Sequence, residues 1–188
     1  MHRSPLKIAI VVHGRFHAFD LARALLGRGH EVTLFTNYPA WAVARFGFPK
    51  ERVRSFWPHG VLSRANQWLH AKVRVPYFEA ALHRMFGRWA AAALGREQWD
   101  VIHSWSGVAE EILLLDSKPV KVRLLMRGSA HIRTQARLLE EEEQRTGVPQ
   151  DKPSPWMIAR EEREYELADA MVVLSSFAYK TFLEEGVP

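Results

Sequence analysis

Short apolar runs alternate with amphipathic stretches along most of the chain. The run KIAIVV at residues 7–12 is typical of a strand that is covered on both faces of a sheet. After a polar turn, apolar residues recur at the spacing of one helix face: Ala18, Leu21, Ala22, Leu25 and Leu26. Gly27 and Gly29 end this helix, and EVTLFT at 31–36 is the second predicted strand. The chain therefore opens with a predicted strand–helix–strand unit.

The same alternation continues to the end of the chain. We predict further strands at 52–57, 100–104, 120–126 and 170–174, and helices at 39–46, 108–115, 132–145, 156–168 and 177–185. A long helical region between 57 and 100 is broken at Pro76, because proline lacks the amide donor. Alternating strands and helices indicate a parallel sheet with helices on both faces. The predicted fold class is α/β, with one Rossmann-like, doubly wound domain over residues 1–188.

The composition is that of a globular protein, with 47% hydrophobic and 25% charged residues. Cysteine is absent, which excludes disulfides and thiolate metal sites, so we expect a cytoplasmic protein. No segment has the roughly 20 consecutive apolar residues that a membrane-spanning helix needs. The histidines His13 and His17 are four residues apart but lack an HExxH pattern or a carboxylate cluster, so no metal site is predicted.

Positive charge is concentrated in residues 52–96, where eight basic residues face one acid, Glu79. Such asymmetry favours a surface that meets phosphates, acidic sugars or an anionic membrane, and the alternative is a solvated face without a ligand. Trp57 and Trp68 suit a membrane interface, as does Trp89, although Trp89 lies on an apolar helix stripe and is expected in the core. The tryptophans are expected to be buried and no nucleic-acid-binding motif is visible, so nucleic acid is not an expected partner.

Ligands of open α/β sheets bind at the carboxyl ends of the strands, so the loops there are the places to look for chemistry. The first loop, HGRFH at 13–17, has a single glycine instead of G-x-G-x-x-G, and the second strand ends in Thr36–Asn37 without an acid for a ribose. A nicotinamide or flavin site is therefore disfavoured. The loop amides could receive an anion, or Gly14 could be a simple turn glycine.

Two later loops and one helix carry further candidate side chains. His103 and Trp105 could bind a sugar by hydrogen bonding and stacking, or they could be packing residues. The segment RGSAHI at 127–132 offers a guanidinium, a hydroxyl and an imidazole, although Ser129 could be a helix cap and Arg127 a surface residue. Glu161 shares an apolar helix stripe with Tyr165, where a carboxylate is costly unless paired or useful. The alternatives are that Glu162 turns inward or that the acidic helix is solvated.

Four segments, in order along the chain, resemble glycosyltransferases of the GT-B fold, most closely the retaining family 4 type. They are HGRF at 13–16, LARALLGRGHEVTLFT at 21–36, WDVIHSWSG at 99–107 and REEREYELADAMVVLSSF at 160–177. In that family an N-terminal Rossmann-like domain binds the acceptor and a second domain binds most of the nucleotide sugar. The sugar is transferred with retention, usually without a bound metal.

The resemblance implies that residues 1–188 are the acceptor-side half, without the donor domain and inactive alone. No bound cofactor is implied, and a nucleotide sugar is the co-substrate. The acceptor would be a glycan or a lipid-linked sugar, and residues 52–96 would meet an anionic membrane surface if the enzyme is peripheral to the inner leaflet. The alternative is a stand-alone, non-catalytic Rossmann-like domain that binds a nucleotide or a protein partner.

The resemblance also implies roles for individual residues. His131 is the candidate for contact with the transferred sugar, with Arg127 as the alternative by strand-end position, and Trp105 stands where the family often has a second histidine. The role implied for Glu161 is structural or cleft-organising. The candidate catalytic residues are His131 and His103, and the candidate substrate-binding residues are Gly14, Arg15, Phe16, His17, Trp105, Ser106, Arg127, Gly128, Ser129 and Glu161.

Overall fold

The computed structural model describes residues 4–73, 78–115 and 120–187. The strands are β1 (Lys7–Val12), β2 (Glu31–Thr36), β3 (Val53–Ser55), β4 (Val101–Trp105), β5 (Val122–Arg127) and β6 (Ala170–Val173). The helices are α1 (Ala18–Gly27), α2 (Ala40–Ala44), α3 (Trp57–Val73), α4 (Glu79–Leu94), α5 (Glu110–Leu113), α6 (Ile132–Thr146), α7 (Pro155–Leu167) and α8 (Ser176–Glu184). The break predicted at Pro76 lies outside the described residues.

The strands form one sheet in the order β3-β2-β1-β4-β5-β6, and every neighbouring pair is parallel. The chain therefore winds outward from β1 to one edge, returns to the centre and winds to the other edge. The reversal of strand order falls between β1 and β4, where Ile10 is opposite His103. This order is that of a Rossmann-like sheet, so the predicted fold class is confirmed.

Alternate residues of the strands are buried under helices on opposite faces of the sheet. On one face, Phe19 and Ala22 of α1 pack with Ile10 of β1 and Leu34 of β2. On the other face, α4 packs through Phe86 and Ala90 against Val11, Phe35 and Ile102. A third cluster joins Leu125 of β5 to α5, α7 and α8. Apolar burial on both faces explains why the central strands are nearly continuous apolar runs in the sequence.

Side-chain caps fix where three of the helices begin. Ser154 and Ser175 accept hydrogen bonds from the amides of Met157 and Ala178, which starts α7 and α8. The cap of α6 is His131, whose side chain accepts from the Arg133 amide, so the alternative that Ser129 caps this helix is wrong. Within the three described ranges, no helix is both long enough and apolar enough to cross a bilayer.

Candidate functional site

A pocket of about 410 Å³ lies at the carboxyl ends of the strands, next to the reversal of strand order. The loops after β1, β4 and β5 line it together with α7, and we call it the cleft pocket. The predicted site residues that line it are Phe16, His17, Trp105, Ser106, Arg127, Gly128, Ser129 and Glu161. Strand-end loops far apart in sequence therefore form one concave surface, as expected for an open α/β sheet.

The loop between β1 and α1 is held by the end of β2. The amide of Gly14 donates to Asn37 Oδ1 at 2.9 Å, and Thr36 Oγ1 donates to the Gly14 carbonyl at 3.2 Å. Gly14 has φ +109°, which a residue with a side chain rarely adopts. Phe16 has φ +42° and its ring is 64% exposed at the pocket. This left-handed backbone costs about 1 kcal/mol or more, and it leaves the aromatic ring exposed at the pocket.

One wall of the cleft pocket is built from rings on β4 and the first loop that pack at tilted angles. The Trp105 ring lies 5.1 Å from that of His17 and 5.0 Å from that of His103. His103 does not line the pocket but lies buried behind Trp105. Burial, followed by the nearby His17, lowers the pKa of His103 to about 4, so its imidazole is neutral near pH 7. Among the described residues, His103 Nε2 and Trp105 Nε1 are buried without a hydrogen-bond partner.

On the opposite wall, two neighbouring side chains hold the guanidinium of Arg127 in place. Arg127 Nε lies 3.0 Å from Glu161 Oε2, and Arg127 Nη2 donates to Gln135 Oε1 at 2.5 Å. Tyr165 donates to the same Glu161 oxygen at 2.7 Å. Burial raises the pKa of Glu161, and the neighbouring Arg127 opposes this shift. Glu161 is therefore an inward-facing carboxylate, whereas Glu162 pairs with Arg133 at the surface, so the alternative that Glu162 turns inward is wrong.

A buried ion network supports the floor of the pocket. Glu164 accepts hydrogen bonds from the amides of Gly107, Ala109 and Glu110 at 2.6, 2.8 and 3.0 Å. Arg160 is fully buried, donates to the Gly107 carbonyl at 2.7 Å and pairs with Glu111 at 2.5 Å. The network fixes the turn that follows β4, and with it the position of Ser106. The sequence indicated neither Arg160 nor Glu164 as inward-facing residues.

Besides His103, three predicted site residues do not line the cleft pocket. His131 is 2% exposed and packs between Tyr165 and Phe182, away from the cleft pocket. As the cap of α6, its ring lies in the interface of α6, α7 and α8. Arg15 stacks on Phe46 at 4.0 Å from the ring. Gly14 lines the neighbouring pocket instead.

That neighbouring pocket, of about 320 Å³, lies between the first loop and helix α3, and we call it the α3 pocket. Its wall includes Tyr38, Trp57 and Arg64, and His13 lines both pockets. His13 packs against His59 and His83 with ring centroids 5.1 and 5.3 Å away. Burial, helped by these two imidazoles, lowers the pKa of His13 to about 3. No spacing in the sequence linked these histidines, which come from three separate segments.

These histidines form no metal centre: across the described parts of the chain, no group of three or more histidine, aspartate or glutamate side chains is placed to hold a metal ion. Instead, the ring of His13 packs on those of His59, His83 and Phe86.

Comparison with known proteins identifies the family. The model of Glycosyltransferase Family 4 matches residues 15–188. The chain belongs to Glycosyltransferase Family 4. A solved structure described as the glycotransferase of kitacinnamycin is similar at 16% identity and a TM-score of 0.42, over 99% of this chain and 42% of that one. This chain thus spans less than half the length of that structure. No curated protein sequence matches.

Membership in Glycosyltransferase Family 4 confirms the family resemblance seen in the four sequence segments. The cleft pocket and the α3 pocket lie on either side of His13, which lines both. Family membership does not assign individual residues, so the roles of Arg127, His103 and Glu161 stay predictions.

Proposed function

We propose that this chain is the acceptor-side, N-terminal half of a GT-B glycosyltransferase, and that the cleft pocket is its share of the catalytic cleft. The sugar would come from a nucleotide sugar held mostly by a second domain and would be transferred with retention to a glycan or lipid-linked acceptor. The observation that carries the proposal is the Arg127–Glu161 pair, a braced cation at the carboxyl ends of the strands.

Arg127 is suited to oppose negative charge in this cleft. Its side chain is 13% exposed, so it reaches the pocket while its Nε remains against the Glu161 carboxylate. A guanidinium held in one orientation loses little freedom when it binds a phosphate or a sugar oxygen. Arg127 would therefore face the transferred sugar or its phosphate, and Glu161 would position it. His131, buried outside the pocket, is the less suitable of the two original candidates.

Aromatic rings and small polar groups complete the proposed sugar site. Phe16 and Trp105 offer flat faces on which the apolar side of a sugar ring can stack, and His17 stands beside Trp105. Ser106 and Ser129 add hydroxyls at the same pocket. His103, neutral near pH 7, would act through Trp105 as a positioning residue. We propose a cytoplasmic location, in line with the absence of cysteine.

A titration of tryptophan fluorescence tests this function. The chain would be titrated with UDP- and GDP-sugars, free UDP and GDP, NAD(P) and FAD. We expect weak nucleotide-sugar binding, weaker still in Arg127→Ala and unchanged in Arg15→Ala, whose side chain lies over Phe46. Tight binding of NAD(P) or FAD would overturn the proposal and favour an oxidoreductase. Tight binding of a free nucleotide that ignores Arg127 would favour a stand-alone nucleotide-binding domain.

A further inference from the structure

Helix α3 exposes an apolar face that the described part of the chain leaves uncovered. At about 100° per residue, its apolar positions fall within one arc of about 160°. Exposed fractions along this arc are 54% for Trp57, 59% for Val61, 50% for Leu62, 61% for Trp68, 36% for Leu69 and 61% for Val73. Only His59 and Asn66 of the helix are buried. Apolar patches of this extent on a folded domain mark a docking surface.

The charges around this face favour an anionic partner. The helix contains no acidic residue, while Lys72 lies within the apolar arc and Arg64 at its border, both exposed. Phe78, 55% exposed, is tied to the helix by its amide, which donates to Asn66 Oδ1 at 3.0 Å. Tryptophans beside cations on a helix without acids are the pattern of a helix that lies in the surface of an anionic bilayer.

A second copy of the chain fits this face less well. A two-fold dimer built on α3 would bring the same surface patch of both copies together. Arg64 and Lys72 of one copy would then approach those of the other, and the helix offers no carboxylate to pair with them. An anionic bilayer supplies both the apolar layer and the negative charge that this face lacks.

We propose that α3 docks on an anionic lipid bilayer and lies in its plane. Trp57, Val61 and Arg64 belong both to this helix and to the wall of the α3 pocket, so the pocket opens at the bilayer surface. If the proposed glycosyltransferase function holds, the acceptor is therefore a lipid-linked one: its polar group enters the α3 pocket near Tyr38 and Arg64, and its lipid stays in the bilayer. Only this second step rests on the proposed function.

Co-sedimentation with vesicles tests the docking directly. The chain would be mixed with phosphatidylcholine vesicles and with vesicles in which about one lipid in three is phosphatidylglycerol. We expect binding to the anionic vesicles, with a blue shift of tryptophan emission, and weak binding to the neutral ones. Arg64→Gln and Lys72→Gln should each weaken anionic binding about fivefold, which corresponds to about 1 kcal/mol per basic residue near the surface.

Matched variants test whether vesicle binding depends on α3 or on exposed apolar residues elsewhere on the surface. The double variant Trp68→Gln/Leu69→Gln should weaken vesicle binding about tenfold or more, because both side chains leave the bilayer interface. Trp41→Gln is the control, since Trp41 is 62% exposed on α2 and should not matter. Circular dichroism checks that each variant is folded.

Equal, negligible sedimentation with both vesicle types would overturn the proposal, as would equal effects of the α2 and α3 variants. Loss of a dimer in the α3 variants, without vesicle binding in the parent, would assign the face to a second copy and also overturn it. Because sedimentation needs no sugar transfer, failure here leaves the nucleotide titration unaffected, and the reverse also holds.

Discussion

Replacing Glu164 by alanine should lower the free energy of unfolding by about 4 kcal/mol. The carboxylate is 0% exposed and accepts three amide hydrogen bonds of 2.6 to 3.0 Å from the turn after β4. It also lies 3.3 Å from Arg160 Nε, itself 0% exposed. Removing one partner of a buried ion pair costs about 3 to 5 kcal/mol, because the remaining charge is left without compensation.

The remaining contacts of Arg160 place the expected loss of unfolding free energy near the middle of this range of about 3 to 5 kcal/mol, and they predict that Glu164→Ala is less stable than Glu164→Gln. Arg160 retains Glu110 at 2.9 Å and Glu111 at 2.5 Å, so its charge stays partly paired, whereas the amides of Gly107 and Ala109 lose their acceptor. Glu164→Gln keeps the volume and one acceptor oxygen, so we expect it to cost about 2 kcal/mol, roughly half the alanine value.

Urea unfolding followed by circular dichroism at pH 7.5 measures these differences. Glu162→Ala is the matched control, because Glu162 lies on the same helix and pairs with Arg133 at the surface, where a pair is worth about 1 kcal/mol or less. If Glu164→Ala and Glu162→Ala lowered the stability equally, the assignment of Glu164 as the anchor of the β4 turn would be refuted.

Two further predictions concern acid stability and helix packing. Since the pKa of His103 falls from 6.5 to about 4 on folding, the unfolded chain takes up this proton first as the pH drops. His103 should thus lower the free energy of unfolding by about 2.5 kcal/mol at pH 4.5. The urea midpoint of His103→Gln should therefore fall less steeply below pH 6.5 than that of the parent chain. An equal slope in the two proteins would contradict this. A Cβ on Gly60 would lie 2.4 Å from the Asn37 carbonyl oxygen, so Gly60→Ala should cost about 1 to 3 kcal/mol despite the better helix propensity of alanine. Gly27→Ala, which meets no atom within 4 Å, should be neutral or stabilising, and equal thermal midpoints for the two variants would count against the α3 packing.

Periodicity was sufficient to predict the order and type of the elements because both faces of the sheet are buried. The apolar run at 7–12 became β1 with its predicted bounds, and 31–36 became β2. Three elements are shorter than predicted by three residues or more. The helix predicted at 108–115 is Glu110–Leu113 because Glu164 holds the preceding amides of Gly107 and Ala109 in a turn. The strand at 52–57 and the helix at 39–46 shortened to β3 and α2 at the sheet edge.

The strand-end rule located most of the candidate site, since Trp105, Ser106 and Arg127 follow directly from where β4 and β5 end. The rule says nothing about a side chain that caps the next helix, which is why it did not indicate that His131 lies outside the cleft pocket; the role of His131 stays a prediction. The inward position of Arg160 and Glu164 depends on partners in the turn after β4 and on α5, some 50 residues earlier in the sequence, so the pattern at 160–166 singled out Glu161 and neither of these two.

The exposure of the tryptophans is likewise set by tertiary packing, which the sequence pattern does not show. The expectation that Trp89 lies toward the core agrees with its stacking on Phe56 at 5.1 Å. The expectation that the tryptophans are buried was wrong for Trp41, Trp57 and Trp68, which are 62%, 54% and 61% exposed. The sequence of α3 has apolar residues over a wide arc, and no pattern within the helix indicates which side the rest of the chain covers.

Amide chemical-shift mapping by NMR tests the central claim most directly. A ¹⁵N-labelled chain would be titrated with UDP- and GDP-sugars and with a soluble glycan. We predict shifts at Ser106, Gly128 and Ser129 in the cleft pocket, and none at Trp99 and Lys121, which line a pocket of similar size at the amino ends of the strands. Shifts confined to the pocket at the amino ends of the strands, or saturating shifts with NAD(P) but not with any sugar ligand, would contradict the assignment of the cleft pocket to a glycosyltransferase.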